Sequence, residues 1–241
     1  GGAQIRLAPG SAVGIQASSV RITVSKEDYV KAIAEAQAEG KPVIAAALAR
    51  WLGVSGPAVA MAVRRLSRDG LVRVGKRGRI ALSASGRSIA ERLRSRHHLI
   101  ERMLAEIFGM EWYKVHDEAE RLEHAVSDDF ERRLIDVLGA GKPCPHGNAP
   151  GRESAKARRR MGWRPLDEVG AAGQVVVASV FERDRRLLEY FDELGVRPGT
   201  SLSLESRNCD DTLTLRIGSR TVHLGYRAAG AVWVRPADRP Q

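Results

Sequence analysis

The chain has 241 residues, 43% of them hydrophobic and only 5% aromatic, which suits two small domains or three very small ones. No apolar run reaches the roughly 18 residues that a membrane span needs, and the first residues lack the basic segment and apolar stretch of a signal peptide. Two cysteines, Cys144 and Cys209, are too few for a disulfide scaffold, so we expect a reducing, cytoplasmic setting.

The net charge of +10 is spread unevenly. Residues 1–90 carry 14 basic and 5 acidic side chains, residues 91–140 carry 8 and 12, and residues 141–241 carry 17 and 12. A basic first part suits a polyanion such as DNA, whereas an acidic middle part suits a bound cation. A GC-rich genome would explain the many arginines but not this asymmetry.

The chain is expected to begin with a flexible tail at 1–22, which is rich in Gly, Ala and Ser. Ser25 followed by Asp28 resembles the start of a helix, and an apolar face continues from there to about Glu39. A second helix is predicted at 44–52.

A third helix follows a tight turn, with Ser55 as its N-cap and Pro57 in its first turn. Two helices joined in this way form a helix-turn-helix, and the strand-like runs at 71–74 and 79–82 add a wing with a basic tip. The sequence therefore predicts a winged helix-turn-helix DNA-binding domain over residues 23–84.

The third helix would enter the major groove of DNA, which is about as wide as a helix. Its early side chains offer apolar contacts, whereas its later arginines and the wing tip would meet phosphates and make binding salt-dependent. The candidate DNA-binding residues are Ser55, Pro57, Ala58, Met61, Arg64, Arg65, Arg68, Lys76 and Arg77. A winged helix retained for protein interaction is the alternative, which the basic wing and arginine cluster disfavour.

Two long helices, at 83–107 and 112–138, predict a helical domain over residues 85–140. A linker with several prolines and a basic run follows at 141–173. Five short β-rich runs and one helix, at about 184–194, then predict a small barrel over residues 174–236.

Four of the six histidines lie between positions 97 and 124. His97 and Glu101 share one face of the first long helix. A second set shares one face of the next helix at spacings i, i+4, i+7 and i+8, namely His116, Glu120, Glu123 and His124. Antiparallel packing would bring both sets together in a site of imidazole and carboxylate ligands without thiolate. Such a site suits Mn(II) or Fe(II) better than structural zinc, although any single pair of this kind is usually a solvated surface pair.

Several segments of the chain resemble the diphtheria toxin repressor family of metalloregulators, including its manganese transport regulators. The resemblance covers residues 25–150 and, more weakly, 174–236. It is carried by SGPAVAMAVRRL at 55–66, RHHLIER at 96–102, VHDEAERLEH at 115–124 and PHGN at 145–148.

This resemblance implies a winged helix-turn-helix, a helical metal-binding and dimerisation domain and a C-terminal SH3-like β barrel. It implies a regulator rather than an enzyme: a homodimer that binds double-stranded operator DNA and represses metal-uptake genes when a divalent metal acts as corepressor. A metal-independent winged-helix regulator and a helical metallohydrolase are the alternatives from outside this class.

The resemblance also assigns metal ligands. Asp28 would join Glu120, Glu123 and His124 in one site, His97 matches another ligand position, and Glu101 and His116 match ancillary ligands. Iron-type members carry Cys where this chain has Glu120, so a carboxylate there favours Mn(II), with Fe(II) as the alternative. In the barrel, Asp184 would replace one carboxylate ligand. Lys31 stands where manganese regulators with a paired site carry Glu, and an ammonium cannot bind a metal.

Overall fold

The computed structural model describes five stretches of the chain, residues 24–38, 40, 42–151, 154–170 and 173–237. The tail predicted at 1–22 lies outside the described residues. Helices dominate the first part and an antiparallel sheet the last, so the predicted fold class, mainly α with a small β domain, is confirmed.

The first elements form a winged helix-turn-helix. They are helices α1 (Val24–Ala38), α2 (Ala45–Leu52) and α3 (Gly56–Arg68) and strands β1 (Val72–Val74) and β2 (Ile80–Leu82). Gly53 ends α2 at a φ of 66°, a left-handed conformation that favours glycine, and the Ser55 hydroxyl caps α3 by accepting a hydrogen bond from Ala58 N at 3.4 Å. The antiparallel wing of β1 and β2 shares one core with the helices, in which Ile33 and Leu66 are buried.

None of the helices in the described part of the chain is, taken singly, long and apolar enough to cross a membrane. Helices α2 and α3 meet the length and composition criterion only as a pair, and the chain bends by 111° between them. That bend is the turn of the helix-turn-helix.

The middle elements are α4 (Ala84–Arg102), which continues as a π-helical turn (Met103–Ile107), then α5 (Val115–Leu122) and α6 (Asp128–Leu138). Helix α4 packs against α1 as well as α5 and α6. The prediction of one helix at 112–138 is wrong, because the Ser127 hydroxyl accepts a hydrogen bond from Phe130 N at 3.2 Å and caps a new helix. This break leaves Glu123 at the end of α5, beside α1.

The last elements form a six-stranded antiparallel sheet with short helices, in the spatial order β3-β8-β4-β5-β6-β7. They are α7 (Ala155–Arg160), β3 (Arg164–Pro165), β4 (Gln174–Val180), α8 (Arg185–Leu194), β5 (Ser201–Arg207), β6 (Thr212–Ile217), β7 (Arg220–Gly225), α9 (Tyr226–Ala229) and β8 (Val232–Pro236). All five predicted strands and the predicted helix are present. The region predicted as a linker at 141–173 also contributes structure, because β3 pairs with β8.

Residues 144–148 join the helical domain to the sheet. Val180 N of β4 donates a hydrogen bond to His146 O at 2.9 Å, and His146 Nε2 donates to Trp112 O at 2.8 Å. Gly147 has a φ of 80°, and a Cβ atom there would lie 2.1 Å from a carbonyl oxygen of β4. Only glycine lets the segment pass this close to the sheet.

We expect Gly147→Ala to lower the free energy of unfolding by about 3 kcal/mol, because a left-handed conformation and a backbone clash penalise the same methyl group. Gly151→Ala is the matched control: its φ is 77°, but a Cβ atom there would meet nothing within 4 Å. The control should cost only about 1 kcal/mol. Melting temperatures of the two variants check this, and equal decreases would contradict the assigned role of the close approach.

Candidate metal centre

Three helices and the 144–148 segment bring acidic and histidine side chains together between the domains. The first group joins the winged helix to the helical domain: Asp28 lies on α1, and Glu123 and His124 follow α5. Their ligand atoms all lie within 4.8 Å of one another, an arrangement that could hold a cation, and we call this group the interdomain site.

The interdomain site is open to solvent on one side, where it borders a cavity of about 610 Å³. His124 Nε2 lies 2.9 Å from Asp28 Oδ1, and His124 Nδ1 lies 2.8 Å from Glu27 Oε2, so one imidazole contacts two carboxylates of α1. Burial raises the pKa of the Asp28 carboxyl above its ordinary value, although His124 opposes this. A cation bound there would favour the charged carboxylate.

Glu123 is the buried member of the interdomain site. Its Oε2 accepts hydrogen bonds from His97 Nδ1 at 2.6 Å and from Lys31 Nζ at 2.8 Å, and its Oε1 accepts a second one from Lys31 Nζ at 2.9 Å. Burial alone would raise the pKa of Glu123, but the His97 hydrogen bond and the Lys31 charge lower it to about 2. Glu123 is therefore a buried anion with two cationic partners.

Glu120, predicted as a ligand beside Asp28, lines the same cavity but is not among the three residues whose ligand atoms lie within 4.8 Å of one another. Its Oε1 lies 3.5 Å from Lys31 Nζ, 3.7 Å from His116 Nε2 and 3.8 Å from an Arg183 guanidinium nitrogen. Burial of Glu120 disfavours ionisation of its carboxyl group, whereas the Lys31 charge favours it. The net effect lowers the pKa of Glu120. Its carboxylate lies between the interdomain site and the cluster around Glu101.

The second group is centred on Glu101, which is fully buried. Glu101 Oε1 accepts hydrogen bonds from His97 Nε2 at 3.1 Å and His116 Nδ1 at 3.0 Å, and it lies 3.3 Å from His146 Nδ1. Glu101 Oε2 has no hydrogen-bond partner among the residues that the structure describes. The predicted trio of His97, Glu101 and His116 is thus brought together, with ligand atoms within 4.8 Å.

Four residues that the sequence did not nominate complete this cluster. His98, Cys144 and Glu182 place ligand atoms within 4.8 Å of one another and of a Glu101 oxygen, and His146 Nδ1 lies 3.6 Å from Glu182 Oε2. A cysteine sulfur thus lies beside the predicted trio, whereas the sequence analysis expected only imidazole and carboxylate ligands. The Cys144-Pro-His146 spacing was the available signal. We call the cluster the buried site, composed of His97, His98, Glu101, His116, Cys144, His146 and Glu182.

The barrel residue nominated from the sequence, Asp184, has a different position. Its carboxylate accepts a hydrogen bond from Leu187 N at 3.1 Å and caps helix α8. Glu182, two residues earlier, is the acidic side chain that reaches the buried site, where it also accepts a hydrogen bond from Asn148 Nδ2.

The buried site fits a divalent transition metal. Glu101 Oε2 is an unsatisfied buried acceptor, and nitrogen, oxygen and sulfur ligands surround it. Burial lowers the pKa values of His97 and His146, but the charges and hydrogen bonds of nearby carboxylates outweigh it. The net effect raises the pKa of His97 to about 9 and that of His146 to about 10. Burial raises the pKa of the Cys144 thiol well above its ordinary value. The protonated imidazoles of His97 and His146 thus supply positive charge that a metal would replace, and a metal bound by Cys144 would also displace the proton of its thiol.

The predicted DNA-contacting side chains of the winged helix are all solvent-exposed. All nine are exposed on α3 and the wing, and Met61 is 51% exposed. Arg77, at the wing tip, adopts a φ of 57°. The structure thus presents an arginine-rich helix and a basic loop together to solvent.

Three family models match the chain. They are the N-terminal DNA-binding domain of iron-dependent repressors over residues 21–80, their metal-binding and dimerisation domain over 83–150, and the FeoA domain over 164–236.

Relatives and solved structures agree with these models. The iron-dependent repressor IdeR of Mycobacterium leprae is 32% identical over 86% of this chain and 95% of its own length. The diphtheria toxin repressor of Corynebacterium jeikeium is 34% identical over 74% and 83%. A manganese-dependent transcriptional repressor solved with manganese is 33% identical over 88% and 99%, with a TM-score of 0.78. The manganese regulator SloR is 27% identical over 89% and 100%, with a TM-score of 0.72.

We expect the metal-free protein to lose stability as the pH rises from about 6.5 to 10. The folded pKa values of His97 and His146, about 9 and about 10, lie above the unfolded value of about 6.5. Their stabilising charge is therefore complete below pH 6.5 and is lost as the pH passes the folded values. Each unit of raised pKa corresponds to about 1.4 kcal/mol.

Melting temperatures measured in a chelator across this pH range check the prediction. His146→Gln should flatten the profile, whereas His223→Gln, which changes an exposed histidine of β7, should leave it unchanged. A wild-type profile without any decline above pH 7 would show that the buried histidines are not charged.

Proposed function

The chain belongs to the iron-dependent repressor family, and we propose that it is a transcriptional repressor of metal-uptake genes that binds operator DNA as a homodimer when loaded with Mn(II). The observation that carries this proposal is the 2.9 Å contact between His124 Nε2 and Asp28 Oδ1. These potential ligands belong to two different domains, one of which carries the DNA-binding surface.

Asp28, Glu123 and His124 would hold the regulatory ion. When bound, a divalent cation supplies positive charge between carboxylates of the two domains. Asp28 is half-buried, and its carboxylate gains more from such a charge than a fully solvated one would. Binding would therefore favour the arrangement in which α1 is docked against the helical domain.

Docking α1 also positions the DNA-binding surface. Helices α1 and α3 and the wing share one hydrophobic core, so they move as a unit. In a dimer, fixing this unit sets the spacing between two recognition helices, which must match successive major grooves. Positive side chains then contact phosphates, among them Arg64, Arg65 and Arg68 of α3.

The helical domain offers an apolar surface for the second copy. Its exposed apolar side chains include Ile107, Phe108, Phe130 and Val137, and Phe108 is 69% exposed. Large apolar side chains exposed to solvent suit a protein interface, and the matching family model describes a dimerisation domain.

The donor atoms favour Mn(II) at the interdomain site, because carboxylate oxygens and one imidazole are ligands that suit this ion. Fe(II) is the second candidate, favoured by Cys144 in the buried site and by the iron-dependent relatives. We propose that the buried site holds a second ion, with Glu101 as a ligand. Activation of DNA binding by Fe(II) with no response to Mn(II) would favour the alternative.

Regulation explains more of the chain than hydrolysis does. A metallohydrolase would leave the exposed arginines of α3 and the basic wing without a role, whereas residues 21–80 match a repressor DNA-binding domain. A metal-independent regulator would equally leave the interdomain ligands without a role.

We expect Mn(II) to increase affinity for operator DNA at least about tenfold, and Asp28→Ala to abolish most of that increase, because the link between the domains loses a carboxylate. The DNA is selected from a random library with the Mn(II)-loaded protein, and affinity is measured by fluorescence anisotropy with and without Mn(II). Asp129→Ala, which removes an exposed carboxylate of α6, is the control and should respond like the wild type. Equal operator affinity of the wild type with and without metal would refute the proposed function.

A further inference from the structure

We infer that the Lys31 ammonium is a built-in cation that fills one of two cation positions around Glu123, so that the interdomain site takes a single divalent ion. The inference rests on the proposed function, since it concerns the number of ions at that site. It adds a role for a DNA-binding-domain residue that is not itself a metal ligand.

Lys31 occupies the position that an ion would take. Its side chain is 5% exposed, and its Nζ lies 2.8 Å and 2.9 Å from the two oxygens of Glu123, 3.5 Å from Glu120 Oε1 and 3.1 Å from His97 Nδ1. These neighbours are two carboxylates and the His97 ring; carboxylates and, once deprotonated, an imidazole are ligand types that surround a bound divalent cation. The ammonium therefore sits inside a ligand set instead of beside one.

The neighbouring carboxylates keep the Lys31 amine protonated. Burial would lower the pKa of the ammonium, but Glu123, Glu35 and Glu120 together raise it above its ordinary value. A protonated amine offers no lone pair to a metal and repels a second cation at short range in a partly buried setting. No ion can therefore share the space between Glu123, Glu120 and His97 while Lys31 is there.

Towards His124 and Asp28, the interdomain site borders the solvent cavity. There Glu123 Oε1 lies 3.6 Å from His124 Nε2, which contacts Asp28, and the solvent cavity reaches these side chains. One divalent ion can enter on this side without displacing Lys31. The two cations then share the Glu123 carboxylate, one permanent and one exchangeable.

The permanent cation also connects the domains. Lys31 belongs to α1, whereas Glu123 follows α5 and His97 lies on α4. This contact requires no metal, so part of the attachment of the winged helix persists in the metal-free protein. The divalent ion adds to that attachment and does not create it.

The test counts manganese at Glu123 in the full chain. Wild type, Lys31→Glu and Lys156→Glu are saturated with Mn(II), bound manganese is measured by elemental analysis after dialysis, and crystals are examined for anomalous peaks in bonding contact with Glu123. Lys156→Glu makes the same charge change at an exposed residue of α7. We expect one peak at Glu123 in the wild type and in Lys156→Glu, and two peaks with one additional ion per chain in Lys31→Glu.

Two results of the manganese count would overturn the inference: two peaks at Glu123 in the wild type, or one peak and an unchanged manganese content in folded Lys31→Glu. Lys31→Met covers the case in which Lys31→Glu does not fold. Without the ammonium, the melting temperature of metal-free Lys31→Met should fall below that of the wild type, and an unchanged value would also overturn the inference. A wild type that binds no manganese at all would refute the proposed function instead.

Discussion

The structure depends on the compensation of one buried carboxylate, Glu123. A buried charge is strongly destabilising unless it is paired and hydrogen-bonded, so the chain must keep positive charge beside it. Lys31 of the winged helix and His97 of α4 provide that charge through hydrogen bonds of 2.6–2.9 Å. These two positive groups come from separate elements, Lys31 from the winged helix and His97 from the helical domain. The charge of Glu123 is therefore compensated by both groups only when the two domains are docked together. A sensor of cations follows naturally from a fold whose domain docking is already governed by the supply of positive charge.

The same logic extends to the C-terminal sheet. Glu182, next to β4, and Glu101, on α4, would repel one another at the buried site, and His146 lies between them at 3.6 Å and 3.3 Å. Gly147 allows the segment bearing that histidine to lie against β4. A third connection runs from the sheet domain to the winged helix, where Arg183 pairs with Glu35 and its guanidinium lies 5.1 Å from the ring centroid of Trp51. The sheet domain therefore contributes charged side chains to the ion pairs that connect all three domains.

The sequence was sufficient for the fold class and for three of the seven residues of the buried site. Helical spacing predicted that His97 and Glu101 share a face, and the family resemblance supplied Asp28. Three features were beyond it. The α5–α6 break depends on the cap formed by Ser127. A capped break and a continuous helix differ little in free energy, so the sequence pattern does not distinguish them. Glu182 and Asp184 lie two residues apart in a loop, so only the backbone path decides which one reaches the site. The ammonium of Lys31 was expected to exclude a cation, but its placement among the ligands follows from packing of α1 on α4.

Metal binding at the two sites would differ in how strongly protons compete with the ion. At the buried site a metal must displace protons held with pKa values of about 9 and about 10, so its apparent affinity increases with pH across the neutral range. At the interdomain site the Asp28 side chain is 46% exposed. Its partner Glu123 has a pKa of about 2 and therefore stays ionised at any higher pH. Competition with protons for the Glu123 carboxylate is therefore weak near neutrality. An ion at the interdomain site would act directly on the docking of α1, whereas an ion at the buried site would act through His97, the residue that contacts both Glu101 and Glu123. His97 is thus the side chain through which metal binding at one proposed site would alter the charge balance of the other.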